Sequence, residues 1–354
     1  MSGPRIVIAA GGTAGHVVPA IAVADALRAE GAQVSFVGGE RAESELVPAA
    51  GYPLDSIHVE GISRRNPLAA LRAGGKAVLA LKTAGRILRD RRADAVLGGG
   101  GYVAGPVGLA AVLGRVPLVL AEADSHLGLS NRLLAPRARR VCLAFPIPGR
   151  EGHRYLVTGR PVPPRVEDRA GARAALGIGA GERCVLVFGG SLGARSINDA
   201  ALAAFADAPY RVLHIAGRRD FADLRPPGPH YDLRDYLGDG FGQALAAADL
   251  AVARAGGSVF ELAQYGLPAV LVPYPHATAD HQTANARWME RGGAAVVIAD
   301  DALTPEGLRT AADAILLDGE RLRAMAAASA RLARPDAARV IARAVLAAAG
   351  GPTA

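Results

Sequence analysis

The 354-residue sequence predicts an α/β protein of two Rossmann-like domains, and three observations carry that reading. Short apolar runs followed by glycine-rich turns and helical periodicity recur in both halves, the pattern of buried parallel strands feeding helices. The length exceeds one ordinary core and suits two domains of about 150 to 180 residues each. Apolar residues make up 51% of the chain but aromatics only 5%, so Ala, Val and Leu must fill the space between helices and sheets.

The first strand is RIVIAA at 5–10, followed by the turn Gly11-Gly12-Thr13-Ala14-Gly15, a helix to about Glu30, Gly31 as its C-cap and a second strand at 33–37. The turn matches a dinucleotide fingerprint only loosely. HVVP at 16–19 stands where the fingerprint's helix should open, and no acidic residue closes the second strand, which argues against an NAD site. His16 lies at the mouth of this turn, where substrates bind, and imidazole can accept a proton near neutral pH; a lone His there is as readily a structural cap. Residues 62–92 carry nine basic residues and one acidic one, Asp90, with Leu, Val and Ile at helical spacing. That is a surface for an anionic membrane, or a solvated helix packed on its own domain. A strand at 95–97 enters a second glycine loop, 98–106, and a strand at 118–121 ends in Glu122-Ala123-Asp124-Ser125-His126. Three loops thus converge on one sheet edge.

A proline-dense linker, 159–164, leads to a strand at 184–188 and the turn GGSLGAR at 189–195. Further strands are expected at 212–215, 250–253, 269–272 and 295–298. Between the last three lies the most informative stretch, 254–285. Gly256 and Gly257 lead into Ser258, an N-cap residue, so the next helix offers N–H groups and a positive dipole end to an anion such as a diphosphate. Glu261, one turn inside, is placed to accept hydrogen bonds from ribose hydroxyls. After the strand at 269–272, Asp280, His281, Gln282 and Asn285 cluster groups suited to a sugar. The helix after Pro335 is long and Ala-rich and is expected to cross back, giving domains of 1–158 and 159–335 with 336–354 returning to the first.

Two cysteines, Cys142 and Cys184, make neither a disulfide framework nor a metal-ligand spacing, which points to a reducing cytoplasm. The five-residue apolar run after Arg5 is too short for a signal peptide, and no stretch approaches eighteen apolar residues, so no spanning helix is expected. Charge is uneven. Residues 1–158 hold 19 Arg and Lys against 12 Asp and Glu, a net of +7, while 159–354 hold 21 against 21. The first half is therefore the one expected to meet an anionic surface or substrate.

Six segments in order, GGTAGHVVPA (11–20), GGYVAGP (100–106), EADSHLGLSN (122–131), GGSLGAR (189–195), RAGGSVFELAQYGLP (254–268) and PYPHATADHQTANA (273–286), resemble the MurG family of peptidoglycan glycosyltransferases. The resemblance implies a GT-B fold, two Rossmann-like domains with a cleft between them. It implies transfer of N-acetylglucosamine from UDP-N-acetylglucosamine to lipid I, without a cofactor or catalytic metal, on the cytoplasmic face of the membrane. Consistently, no two aspartates lie two apart, so the Asp-x-Asp metal motif of the other large transferase class is missing. Nucleic acid is not an expected partner.

By motif, Thr13, Ala14 and Gly15 would line the site and His16 would help deprotonate the acceptor hydroxyl, with Asp124 as the other candidate base. Ser191 would meet the diphosphate, Gly256, Gly257, Ser258, Val259, Phe260 and Glu261 the donor, and Leu237 the uracil. His281 and Gln282 would hold the sugar, with Asn285 nearby. The sequence departs from the family's usual His-Glu-Gln-Asn at Ala121-Glu122-Ala123-Asp124, where a carboxylate replaces an amide. It departs from Gly-Asn-Pro-Val-Arg at Gly159-Arg160-Pro161-Val162-Pro163, where the basic group comes three positions early, so Arg160 is counted with the donor contacts. A transferase acting on diacylglycerol, a UDP-N-acetylglucosamine 2-epimerase and a non-catalytic UDP-sugar binder are the alternatives, separated by acceptor dependence and by release of UDP.

Overall fold

The computed structural model describes residues 3–58, 67–190 and 193–350. They form two compact units, 1–163 with 334–354, and 164–333.

The first unit starts with β1 (Arg5–Ala9), α1 (Ala14–Ala29), β2 (Gln33–Gly38), α2 (Ala42–Ala49) and β3 (Leu54–Ser56). It continues through α3 (Pro67–Asp90), β4 (Ala95–Gly98), α4 (Ala104–Leu113), β5 (Leu118–Glu122), α5 (Leu129–Leu134), β6 (Arg140–Leu143) and β7 (Tyr155–Val157). The second holds α6 (Arg169–Ala175), β8 (Cys184–Phe188), α7 (Arg195–Ala204), β9 (Arg211–Ile215), β10 (Tyr231–Arg234), α8 (Phe241–Ala247) and β11 (Leu250–Ala253). Then come α9 (Val259–Tyr265), β12 (Ala269–Leu271), α10 (His281–Arg291), β13 (Ala295–Val297), α11 (Pro305–Leu316) and α12 (Gly319–Leu332). The last helix, α13 (Ala337–Ala348), belongs to the first unit.

Both sheets are parallel among the described residues, in the orders β3-β2-β1-β4-β5-β6-β7 and β10-β9-β8-β11-β12-β13. Each order reverses once, between β1 and β4 and between β8 and β11, and ligands of such sheets collect outside the carboxyl ends of the strands at that reversal. The central strands RIVIA, CVLVF and LAVA are buried on both faces, so they read as unbroken apolar runs. In the first unit one face packs under α1 and α13, where Leu27, Phe36, Ile341 and Val345 share a core, and the other under α3 and α4.

Along the basic helix α3 the residues divide between core and surface. Ile87 and Leu88 are buried in the core beneath α3, so they face their own domain, and Leu81 packs against the same core. Arg91 makes a two-pronged salt bridge with Asp55. Val78 and Leu79 are exposed, as are Lys82, Arg86, Arg89 and Arg92. Arg64, Arg65 and the side chains of Leu68, Leu71, Arg72 and Lys76 lie outside the described residues. No helix among the described residues is long and apolar enough to cross a membrane.

Candidate active site

At the reversal in the first sheet, the loop after β1 meets the loop after β4. The two approach so closely that a Cβ on Gly101, which has φ +77°, would lie 1.8 Å from the Gly11 carbonyl oxygen. Only glycine fits there. Glu43, fully buried on α2, ties three strand ends together. Its carboxylate accepts from the Gly12 N–H at 2.8 Å, the Gly39 N–H at 2.9 Å and the Tyr102 hydroxyl at 2.7 Å. Burial pushes the Glu43 carboxyl up, but the bonds from Gly12, Tyr102 and Gly39 outweigh it and hold the group below its ordinary value. The same contact, after burial, pushes the Tyr102 phenol up to about 12. Sequence reasoning missed Glu43, because its partners are mostly backbone groups that leave no residue-type signature.

From this braced turn α1 rises. Thr13, Ala14 and Gly15 are exposed at its start, and the Thr13 carbonyl accepts from the His16 and Val17 N–H groups. His16 is half-buried, with its Nδ1 against Gly100 and without a hydrogen-bond partner among the described residues. Burial first, and then the Arg160 charge, lower its pKa, while Asp124 pulls the other way. The imidazole is therefore neutral near pH 7 and able to take up a proton. Arg160 Nη2 donates to the Gly15 carbonyl at 2.5 Å. Glu122, buried at the end of β5, accepts from the Gly128 N–H, the Asn131 amide and the Asp124 N–H, so it shapes the loop that carries Asp124. The first unit thus brings Gly15, His16, Asp124 and Arg160 to one sheet edge.

At the second reversal, Gly193 (φ +79°) turns the loop after β8 so tightly that a Cβ would lie 2.0 Å from the Ala216 carbonyl oxygen. Ser191, in that loop, lies outside the described residues. After β11, Arg254 is a strut. It donates to the Val272 and Pro273 carbonyls, to Asp300 and to the Ser196 hydroxyl, joining four segments at the strand ends. Ser258 precedes α9 but does not cap it. Its backbone is already helical, and its hydroxyl reaches back to the Arg254 carbonyl at 3.5 Å. Val259 and Phe260 are buried, Phe260 against Trp288, and their N–H groups go to the Gly256 and Gly257 carbonyls. Both side chains therefore pack beneath the loop.

Glu261 is half-buried in the first turn of α9. From α10, the Gln282 amide nitrogen lies beside Gly256 while its oxygen accepts from the Tyr274 N–H at 3.0 Å. Asn285 is almost fully buried and donates to the Ala255 carbonyl, bracing the glycine loop, while its Oδ1 has no hydrogen-bond partner among the described residues. His281 is half-buried at the start of α10, and Leu237 is half-buried in the turn before α8. The second unit thus gathers Gly256, Ser258, Glu261 and Gln282 around one strand end, with Leu237 on a separate loop.

Two family models match the chain, the glycosyltransferase family 28 N-terminal domain over residues 6–143 and the glycosyltransferase family 28 C-terminal domain over 184–341. The chain is 42% identical to the UDP-N-acetylglucosamine–N-acetylmuramyl-(pentapeptide) pyrophosphoryl-undecaprenol N-acetylglucosamine transferase of Methylococcus capsulatus, over 98% of its length and 99% of the relative's. It is 41% identical to the transferase of the same name from Moorella thermoacetica, over 97% and 98%. The crystal structure of Acinetobacter baumannii MurG matches with a TM-score of 0.80 at 30% identity, covering 97% of this chain and 100% of that one. A UDP-N-acetylglucosamine 2-epimerase structure, at TM-score 0.68 and 14% identity, shares the fold alone. The two parallel-sheet domains are those of the GT-B fold, and the chain belongs to the MurG family within glycosyltransferase family 28.

Proposed function

We propose that the chain is an inverting hexosaminyltransferase that moves N-acetylglucosamine from UDP-N-acetylglucosamine to undecaprenyl-diphosphate-linked N-acetylmuramoyl-pentapeptide, the lipid I to lipid II step of peptidoglycan synthesis. Its 42% identity over nearly the whole chain to a transferase of that name carries the reading. The acceptor hydroxyl oxygen attacks the anomeric carbon and gives its proton to His16. The bond from that carbon to the diphosphate breaks, and UDP leaves with the electron pair. Backbone N–H groups at the glycine loops of the second unit stabilise the departing charge, and Glu261 holds the ribose. Incubation with radiolabelled UDP-N-acetylglucosamine and lipid I should give labelled lipid and free UDP in equal amounts. UDP release without acceptor, labelled UDP-N-acetylmannosamine, or labelling of diacylglycerol instead would each overturn it.

For the donor, Glu261→Ala should weaken UDP binding by about 1 to 3 kcal/mol, the cost of leaving a buried polar contact unmade. Calorimetric titration with UDP checks this, and unchanged affinity removes Glu261 from the ribose contact.

The place of work is proposed to be the inner face of the cell membrane. Each lipid CH₂ contributes about 0.8 kcal/mol to retention in a bilayer, so a polyprenyl acceptor keeps the reaction there. Helices α3 and α4 flank a groove of about 850 Å³ whose lining includes Leu79, Lys82, Arg86 and Arg89 from α3 and Leu113 from α4. Leu79 and Leu113 are 65% and 66% exposed. Exposed leucines beside exposed cations fit anionic headgroups, each cation contributing about 1 kcal/mol. Changing Lys82, Arg86 and Arg89 to Glu should therefore cost at least about 3 kcal/mol of membrane affinity, more than a hundredfold. Co-sedimentation with anionic liposomes should be lost and turnover of full-length lipid I should fall, while a short-chain soluble acceptor is still used. Equal loss with both acceptors would count against a membrane role for this face.

A further inference from the structure

The start of α1 contains an irregularity that the family reading leaves unexplained. Pro19 lies inside the helix and has no N–H, so the carbonyl of Gly15, four residues earlier, lacks its helical donor. The Arg160 guanidinium supplies the missing bond at 2.5 Å, from a chain segment 145 residues away. Gly15, His16, Pro19, Glu122, Arg160 and Pro161 together line a small cavity of about 30 Å³, so these groups share one site within the first unit.

We propose that Arg160 is a positioning residue, which locks the first turn of α1 through the carbonyl that Pro19 leaves without a donor and so holds the His16 imidazole in place as the proton acceptor. This rests on the reading above that His16 takes the acceptor's proton. It also assigns a task to the basic residue that this chain carries three positions earlier than the resemblance leads one to expect. A guanidinium suits the task, because it stays charged and its fork of donors can hold a carbonyl while leaving other N–H groups for further partners.

The charges around His16 support a second effect of the same residue. Arg160 reaches it from the segment after β7, Glu122 from the end of β5 and Asp124 from the loop that follows. Cys142 approaches from β6, its thiol pushed up to about 12 by burial and hence uncharged, and α13 contributes only Ile341. Arg160 is thus the cation set against a nearby carboxylate. It disfavours imidazolium, as burial does, while Asp124 favours it. Removing Arg160 must move the His16 titration upward. Removing the Asp124 charge must move it downward.

The test is Arg160→Gln, with Arg160→Lys as the charge-retaining control. In the free protein, His16 followed by NMR with labelled histidine should titrate at higher pH in Arg160→Gln and stay near the wild-type position in Arg160→Lys. With lipid I and UDP-N-acetylglucosamine, kcat of Arg160→Gln should fall about 10- to 100-fold, the scale for a catalytic group displaced by an ångström, and the acid limb of the pH profile should move upward with the NMR value. Pro19→Ala gives the helix back its donor. In that background Arg160→Gln should cost only a few-fold, since the two changes act on one carbonyl. An unmoved His16 titration, or the same loss with and without Pro19, would overturn the proposal. The titration needs no substrate, so its failure is separate from any failure of the proposed transferase activity.

Discussion

Replacing His16 with alanine should lower kcat by about 10² to 10⁴, the usual range for loss of a general base, with little change in affinity for UDP. The sign of the pH dependence follows from its surroundings. Burial and Arg160 lower the imidazole pKa, so the neutral, proton-accepting form persists to more acid pH than for an ordinary histidine. The acid limb of kcat/KM in the native enzyme should therefore lie below the ordinary histidine range, and the His16→Ala profile should have no such limb. Asp124 is the competing candidate at the same sheet edge. If it were the base, Asp124→Asn would cost more than His16→Ala. If it only biases His16, Asp124→Asn should keep most of the rate and move the acid limb downward. Equal, mild losses from both changes would remove both from the chemistry.

Glu43→Ala should destabilise the first unit by about 3 to 5 kcal/mol, which is a large share of a typical domain's stability. The change leaves two backbone N–H groups and the Tyr102 hydroxyl without their acceptor in a buried place. Because the Glu43 carboxyl is held below its ordinary value, its contribution is present above the unfolded glutamate's pKa and is lost as pH falls through the folded one. Urea unfolding of wild type and Glu43→Ala at neutral and at acid pH checks this. The gap between them should narrow in acid, and a gap that does not depend on pH would mean that lost packing dominates over the carboxylate's hydrogen bonds.

The fold was legible where burial is two-sided. CVLVF and LAVA can be little other than central parallel strands, and each is followed by the glycine turn that its helix needs. The strands LDS, RVCL and YDLR escaped notice because they are short and carry polar residues. At the site, His16 stood out because its residue type suits the proposed chemistry and it follows β1 and its glycine turn. Glu43 was not, since a buried carboxylate that binds main-chain N–H groups looks in sequence like any glutamate in a polar helix. Arg254 was noticed as the head of a motif, but its use is mechanical. It holds the ends of β11 and β12 in register with α7 and Asp300. Asn285 is similar: its amide donates to the Ala255 carbonyl and steadies the glycine loop.

The return of α13 to the first unit has a consequence for how the chain is made. During synthesis, residues 1–163 emerge first, yet the face of α1 that packs on α13 stays uncovered until residues 337–348 have left the ribosome. The intervening unit, 164–333, is continuous and can fold in the meantime. Gly159 and Arg334, where the chain leaves and re-enters the first unit, lie side by side, so once folded the insert spares α13 most of the entropy of searching across a long free loop. The helix that carries His16 is thus seated only once α13 has emerged. A chain stopped before residue 337 would carry the His16 segment without the α13 face that shares its core in the folded unit.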